Sequence, residues 1–450
     1  MSSDCCCSGG AGAARDEGSV ARAEAAVEAV EPLVRGMRLS TALLHAGKTD
    51  PLKPDSTTPP IYQTSAYEYK DSEQHAKVCQ GKAPGFVYTR LGNPTVAAFE
   101  QRMALLEGGV AAVATASGMA ATFDVIANIA RAGDHIVAAS TLYGGTTELF
   151  ENLRDFGIET DYVPVCSVEE LERAVTDRTR VIFAETLSNP RLEVLDVRAV
   201  AAFAHERGIA FVVDNTVASP YLCRPLELGA DLVVESSSKY INGHGNSISG
   251  VVVDSGRGPW RDAAHKDEYP AFAAWTKKFG PMAFVAKMRN GIFHNAGACL
   301  SPQNAFLNCM GLETLSVRME RACANAFALA EFFEKSGLVA EVRYPGLASD
   351  PGHEVAAREF GGRGFGAMIA IRTGSEERAF QVIDKLKYPL RVSNIGDTKT
   401  LVCHPASTIF CEIGEEEQRA AGVYPDSIRI SVGIENADDL IEDFKQALEG

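Results

Sequence analysis

No apolar run in this sequence approaches the length of a membrane span. The longest, such as Val181–Ala184 and Val251–Val253, fall far short of the ~20 residues a bilayer-crossing helix needs, so no membrane is expected as a partner. Positive charge is in deficit. Lys and Arg number 43 against 59 Asp and Glu, a net charge of −16, which argues against nucleic acid as the main partner. Paired CxxC motifs are missing, so neither a structural zinc site nor any other metal site is expected. Residues 1–15 are small and polar, without the apolar centre of an export signal. The cysteines number 11, an odd count, and several sit in apolar surroundings such as Leu401-Val402-Cys403-His404. Together these features point to a cytoplasmic protein with reduced thiols rather than a disulfide framework. No internal repeat is visible.

What is present is a globular composition. Apolar residues make up 46% of 450 residues and charged residues 23%, enough for a large core and two folded units and too apolar for a disordered chain. Residues 1–36 read as a flexible appendage. Within it, residues 19–35 have the spacing of one amphipathic helix, and Cys5-Cys6-Cys7 reads as thiols on a tail rather than a metal or redox trap. From Thr95 the pattern becomes regular. A helix over 95–107 stops at Gly108-Gly109. Short apolar runs follow at Ala111–Ala116, His135–Ala139, Val181–Ala184, Ile209–Val213, Asp231–Val234 and Gly250–Val253, separated by stretches of helical period. Such alternation predicts an α/β fold with a mainly parallel sheet covered on both faces. Residues 255–300 lack strand character. From about residue 300 a long helix over Asn304–Lys335, alternating segments near 339–344, 366–372 and 428–432, and a last helix over 437–448 predict a smaller α+β domain at the C-terminus.

In such folds ligands bind at the carboxyl ends of the strands. Here each strand exits into a small or polar cluster: Ser117-Gly118-Met119, Ser140 to Thr146, Glu185 to Pro190, Asp214-Asn215-Thr216, and Glu235-Ser236-Ser237-Ser238-Lys239. Asp214 follows four apolar residues. A carboxylate there is costly unless a cation or protonated ring pairs with it, though it could also cap the next segment. Lys239 follows a strand and three hydroxyls. Such a lysine is a solvated charge in most settings, but when partly desolvated it can form a Schiff base. The hydroxyls and the helix start at Ser117-Gly118-Met119 suit a phosphate. A phosphate site, a carboxylate for a ring nitrogen and a Schiff-base lysine together describe pyridoxal 5′-phosphate.

The motifs carrying that set are Tyr88 to Thr95, Ala116-Ser117-Gly118-Met119-Ala120, Leu142-Tyr143-Gly144-Gly145-Thr146, Asp214-Asn215-Thr216, Ser238-Lys239-Tyr240 with Gly243-His244-Gly245, His404-Pro405-Ala406-Ser407, and Arg429 to Glu435. Through them the chain from Leu39 to Leu448 resembles the Cys/Met-metabolism family of pyridoxal-phosphate enzymes, with an aspartate-aminotransferase-like (PLP-dependent transferase) fold. The resemblance implies a role for each matched residue. Lys239 would hold the cofactor and move protons. Asp214 would face the ring nitrogen, and Tyr143 would stack on the ring and act at the leaving group. Ser117, Gly118, Met119, Thr216, Ser236 and Ser238 would bind the cofactor. Asn189, Arg429 and Asn394 would bind the substrate. Tyr88 and Arg90 would reach the phosphate in a neighbouring subunit, which implies a shared active site and a dimer within a tetramer. The implied divisions are 1–36 appendage, 37–92 arm on the neighbouring subunit, 93–299 cofactor domain and 300–450 C-terminal domain.

Within the family the sequence is most similar to the O-acetylhomoserine sulfhydrylase type, which exchanges acetate for sulfide or a thiol. Gly145 stands where methionine γ-lyases carry Cys, and Asn394 where lyases and cystathionine enzymes carry Ser. Residues 255–298 resemble the sulfhydrylase insertion. The chain departs from that type at Asn242, Asn246, Arg289–Asn295 and the Ser407-Thr408-Ile409-Phe410 ending. Other readings are a methionine or cystathionine γ-lyase, a cystathionine γ-synthase, and a cofactor-binding protein without turnover.

Overall fold

The computed structural model describes residues 37–45, 56–164 and 167–450. The helix expected over 19–35, the Cys5-Cys6-Cys7 cluster and Cys166 lie outside the described residues. Two sheets organise the chain. The larger holds β1 (Ala111–Thr115), β2 (His135–Ala139), β3 (Glu159–Val163), β4 (Thr179–Glu185), β5 (Ala210–Asp214), β6 (Leu232–Glu235) and β7 (Gly250–Asp254), in the order β1-β7-β6-β5-β4-β2-β3. β3, β2, β4, β5 and β6 run parallel. Only β7 is reversed, antiparallel to both β6 and β1. Every residue of β2, β6 and β7 is buried. A strand covered on both faces has no polar side to show, hence the continuous apolar runs. Helices Gly118–Ile129, Gly144–Leu153, Val168–Ala174 and Val197–Glu206 make the connections.

Local chemistry sets the helix ends. The Asn93 side chain accepts the Thr95 N–H, Pro94 opens the helix Pro94–Glu107, and Gly108 stops it with φ 76°. β3 departs from the expected pattern. Its sequence Glu-Thr-Asp-Tyr-Val alternates, with Glu159 and Asp161 exposed and Thr160 and Val163 buried. It is an edge strand, and an edge strand facing solvent on one side carries no continuous apolar run.

The helix expected over 304–335 is two helices, Pro302–Glu313 and Leu315–Ser336. They break at Thr314, whose N–H turns back to the Gly311 and Leu312 carbonyls. The Gly311 carbonyl also accepts from Arg318 Nη2 at 2.7 Å, which draws it out of the helical ladder. Between the two sheet regions, residues 255–300 form short helices around Trp260. Its ring stacks on Phe272 and Phe284 at 4.6 and 5.3 Å.

The smaller sheet holds β8 (Glu341–Arg343), β9 (Met368–Arg372), β10 (Leu390–Arg391), β11 (Leu401–Cys403) and β12 (Ser427–Ser431), in the order β10-β11-β12-β9-β8. All its pairings are antiparallel except β10 with β11. It has its own core, in which Leu329 and Phe333 meet Ile369, Ile371, Ile428, Ile430 and Phe444. Among the described residues no helix is long and apolar enough to cross a membrane.

Candidate active site

A cavity of about 220 Å³ opens between the carboxyl ends of the large sheet and β12 of the small one. Its first corner is built by close backbone approach. The Ser117 hydroxyl accepts the Ala120 N–H and starts the helix Gly118–Ile129. A Cβ on Gly118 would lie 2.7 Å from Ser236 Cβ and 3.0 Å from its Cα. Only glycine lets the helix start lie against the strand exit. The unpaired N–H groups of that first turn, and the helix dipole, therefore meet the Ser236 side chain in one corner, a ready anion site. Thr216 Oγ1 accepts the Ser236 N–H at 2.8 Å. Ser238 exchanges two hydrogen bonds with the Ser249 backbone, which holds the lysine segment in place.

The floor is carboxylic. Asp214 ends β5 and accepts the Thr216 N–H at 2.8 Å. Burial raises its pKa above the ordinary aspartate value, and no cation among the described residues offsets this. Thr216 shows that it does cap the following turn, yet one amide leaves a buried carboxylate short of a positive partner. Glu185 ends β4 in register with Asp214. It accepts the N–H groups of Tyr143 and Asn189 at 2.6 and 3.2 Å. Burial, and then the Asp214 charge, push its pKa well up.

The opposite wall is cationic. Arg429 on β12 is buried. Its Nη1 donates to Asn189 Oδ1 at 3.2 Å and its Nη2 to the Asn394 carbonyl at 3.1 Å, while Nε has no partner among the described residues. Lys239 Nζ donates to Asn394 Oδ1 at 2.5 Å. Burial, helped by the Arg429 charge, lowers its pKa to about 8. Tyr143 is 45% exposed and borders the cavity. A Cβ on Gly145 would lie 2.7 Å from Tyr143 Cε1, so the ring rests over a residue that has to be small.

The structure thus brings Ser117, Gly118, Met119, Tyr143, Asn189, Asp214, Thr216, Ser236, Ser238, Lys239, Asn394 and Arg429 to one cavity. It does not bring Tyr88 and Arg90 there. The Arg90 guanidinium donates to the His294 carbonyl and lies 5.7 Å from the centre of the Tyr88 ring, which is 43% exposed. Glu185, Ile248, Ile395 and Ile409 also border the cavity without having been assigned there from sequence. Glu185 had a signal, a second carboxyl at the exit of the neighbouring strand. The three isoleucines had none, because an apolar residue in a loop reads as any other.

Residues 40–449 match the family described as Cys/Met metabolism PLP-dependent enzyme. The chain belongs to this family. It is 45% identical to sulfhydrylase FUB7 of Fusarium oxysporum f. sp. lycopersici, an alignment covering 91% of this chain and 96% of that one. It is 41% identical to the O-acetyl-L-homoserine sulfhydrylase of Leptospira meyeri, covering 93% and 98%. A crystal structure of a Campylobacter jejuni protein described as a putative O-acetylhomoserine (thiol)-lyase superposes with a TM-score of 0.87 at 35% identity, covering 92% of this chain and all of that one. That structure carries N′-pyridoxyl-lysine-5′-monophosphate.

Pyridoxal 5′-phosphate is therefore the cofactor of this enzyme, and the cavity has the features to take it. The absence of a Cβ on Gly118 lets the helix start lie against Ser236, so amide and hydroxyl donors for a phosphate share one corner. Asp214 lacks a cation, and Lys239 is an amine shifted toward its neutral form. The orphaned Arg429 Nε adds one further donor, facing the need of a carboxylate ligand.

Proposed function

We propose that the enzyme catalyses γ-replacement on O-acetyl-L-homoserine, with sulfide or a thiol entering and acetate leaving. The product is homocysteine, or methionine when methanethiol enters. The observation that carries this reading is one hydrogen-bonded unit. Lys239, a base near neutrality, is held by the side chain of Asn394, whose carbonyl is held by Arg429. A proton-moving amine is thereby fixed to a carboxylate-binding cation. The sulfhydrylase names of the relatives support it.

When bound, pyridoxal phosphate supplies the electron sink that lets protons leave Cα and Cβ and the ester leave Cγ. Gly118 and Met119, through their N–H groups, and Ser117, Thr216, Ser236 and Ser238 would hold its phosphate end. Asp214 would face its ring nitrogen, Lys239 would hold it covalently, and Tyr143 would cover its ring. Arg429 and Asn189 bind the substrate α-carboxylate at two points, which sets the direction of the rest of the amino acid. Lys239 Nζ takes the Cα proton and later returns one; its pKa near 8 leaves a usable neutral fraction at neutral pH. The Tyr143 hydroxyl acts beside the leaving acetate and the entering sulfur. In the net reaction the Cγ–O bond breaks, a Cγ–S bond forms, and the thiol proton is released or carried by acetate.

The reading extends to assembly. Tyr88 and Arg90 sit on the surface we assign to a neighbouring subunit's cofactor, making a dimer the catalytic unit within a tetramer. Residues 37–92 serve as the arm, 93–299 as the cofactor domain and 300–450 as the C-terminal domain, in a cytoplasmic enzyme. The test is incubation of the holoenzyme with O-acetyl-L-homoserine, with and without sulfide, and with the O-succinyl ester in parallel. Homocysteine and acetate should form in equal amounts with sulfide. Release of a 2-oxo acid and ammonia without homocysteine would overturn the assignment in favour of elimination.

A further inference from the structure

Glu185 is a buried carboxyl group for which the chemistry above has no use, and its placement is unfavourable. It has Asp214 beside it in register and, among the described residues, no cation to pair with. Such a group is retained only where something needs it. Both of its oxygens are occupied. Oε1 accepts the Tyr143 N–H at 2.6 Å and Oε2 the Asn189 N–H at 3.2 Å. Tyr143 stands just before the helix Gly144–Leu153 and has no side-chain cap of its own. The Tyr143 N–H is therefore tied to Glu185, while its carbonyl accepts the Thr146 and Thr147 N–H groups of the helix.

The bonds continue on the far side. Asn189 Oδ1 accepts from Arg429 Nη1, the Asn394 carbonyl accepts from Arg429 Nη2, and Asn394 Oδ1 accepts from Lys239 Nζ. One unbroken line of hydrogen bonds thus runs Tyr143, Glu185, Asn189, Arg429, Asn394, Lys239. Glu185 is its only member without a role in the proposed reaction.

We propose that Glu185 is a positioning residue, whose carboxyl group clamps the backbone of Tyr143 to that of Asn189 and so sets the spacing between the group over the cofactor ring and the group on the substrate carboxylate. The inference rests on the roles assigned above to Tyr143 and Asn189. No single-acceptor side chain could do the same, because the two amides come from different strand exits and need one acceptor atom each. Glutamine offers one oxygen and turns an NH₂ toward the other amide, so it keeps half the clamp.

The experiment uses full-length holoenzyme with Glu185→Ala and Glu185→Gln. Loss of both bonds in Glu185→Ala should raise KM for O-acetyl-L-homoserine about tenfold and lower kcat about tenfold, since both ends of the clamp loosen. Glu185→Gln should fall between it and the wild type in both constants. Titration of the cofactor-free proteins with pyridoxal phosphate, followed by absorbance, should show affinity weakened in the same order. A merely structural role would lower the thermal midpoint while leaving KM and cofactor affinity of the folded protein within twofold of wild type, and that result would overturn the proposal. If Glu185→Ala does not fold, Glu185→Gln decides the matter by the same criteria. If the wild type does not turn over O-acetyl-L-homoserine, the reaction assignment fails, while the cofactor titration still tests the clamp at its Tyr143 end.

Discussion

The two sides of the cavity are made differently. The floor comes from strand ends and a helix start of the large sheet, where Gly118, Ser236, Thr216 and Asp214 are held by backbone that the core fixes. The wall comes from β12 and a loop of the small sheet, where the Arg429 side chain donates to the Asn394 carbonyl and the Asn394 side chain accepts from Lys239. The floor is short, rigid and acidic; the wall is extended and cationic. A fixed floor suits a group that stays through every turnover, and a wall of side chains suits one that enters and leaves. The difference predicts that damage to the floor acts on the cofactor and the rate, and damage to the wall acts on the substrate.

Lys239 stands at the junction, following the floor strand and bonded to the wall. Lys239→Ala should cut acetate release from O-acetyl-L-homoserine by about a thousandfold or more, since both the covalent hold and the proton transfer proposed for it are lost. Next in size, Asp214→Asn removes the negative partner proposed for the ring and should lower kcat about a hundredfold, with weaker cofactor binding and little change in KM. Arg429→Gln should do the reverse. KM should rise roughly thirtyfold, as expected for loss of a charge-assisted pair, while cofactor affinity by titration stays near wild type. If the Asp214 variant mainly raised KM, or the Arg429 variant mainly released cofactor, the division between floor and wall would be wrong.

The same division governs how much could be read beforehand. The floor was legible because parallel strands bury both faces. Their continuous apolar runs announce where they end, and the polar clusters at Ser117, Asp214 and Ser236 stand out against them. β3 escaped because an edge strand is covered on one face only. β10 and β11, at two and three residues, are too short to show a period. On the wall, Arg429 and Asn394 were placed by resemblance to a family rather than by pattern. Nothing in a run of loop residues tells that Asn394 will meet Lys239, because that contact is made only when the two sheets come together. Glu185 was visible as a strand exit but not as a link, since its partners are backbone amides, which every residue has.

The smallest expected effect concerns what the junction costs the cofactor-free protein. The Lys239 amine is half-buried beside Arg429, and its pKa falls from the ordinary 10.5 to about 8. Between these values the unfolded chain binds the proton more tightly than the folded one, so folding stability rises with pH across that window. Below pH 8 both states carry the charge and the full penalty is present. Above about 10.5 both are neutral and it is gone. Lys239→Met keeps the length of the side chain and removes the charge. Without cofactor it should therefore be more stable than wild type at pH 7 by roughly 1–2 kcal/mol, after allowance for the solvent that reaches the amine. That advantage should shrink as pH rises through the window. Denaturant midpoints of the two cofactor-free proteins at several pH values measure it, and taking the difference removes titrations common to both. A gap that stayed constant with pH would mean that the amine is not held in a strained charged state, and that the wall leaves Lys239 as free as any surface lysine.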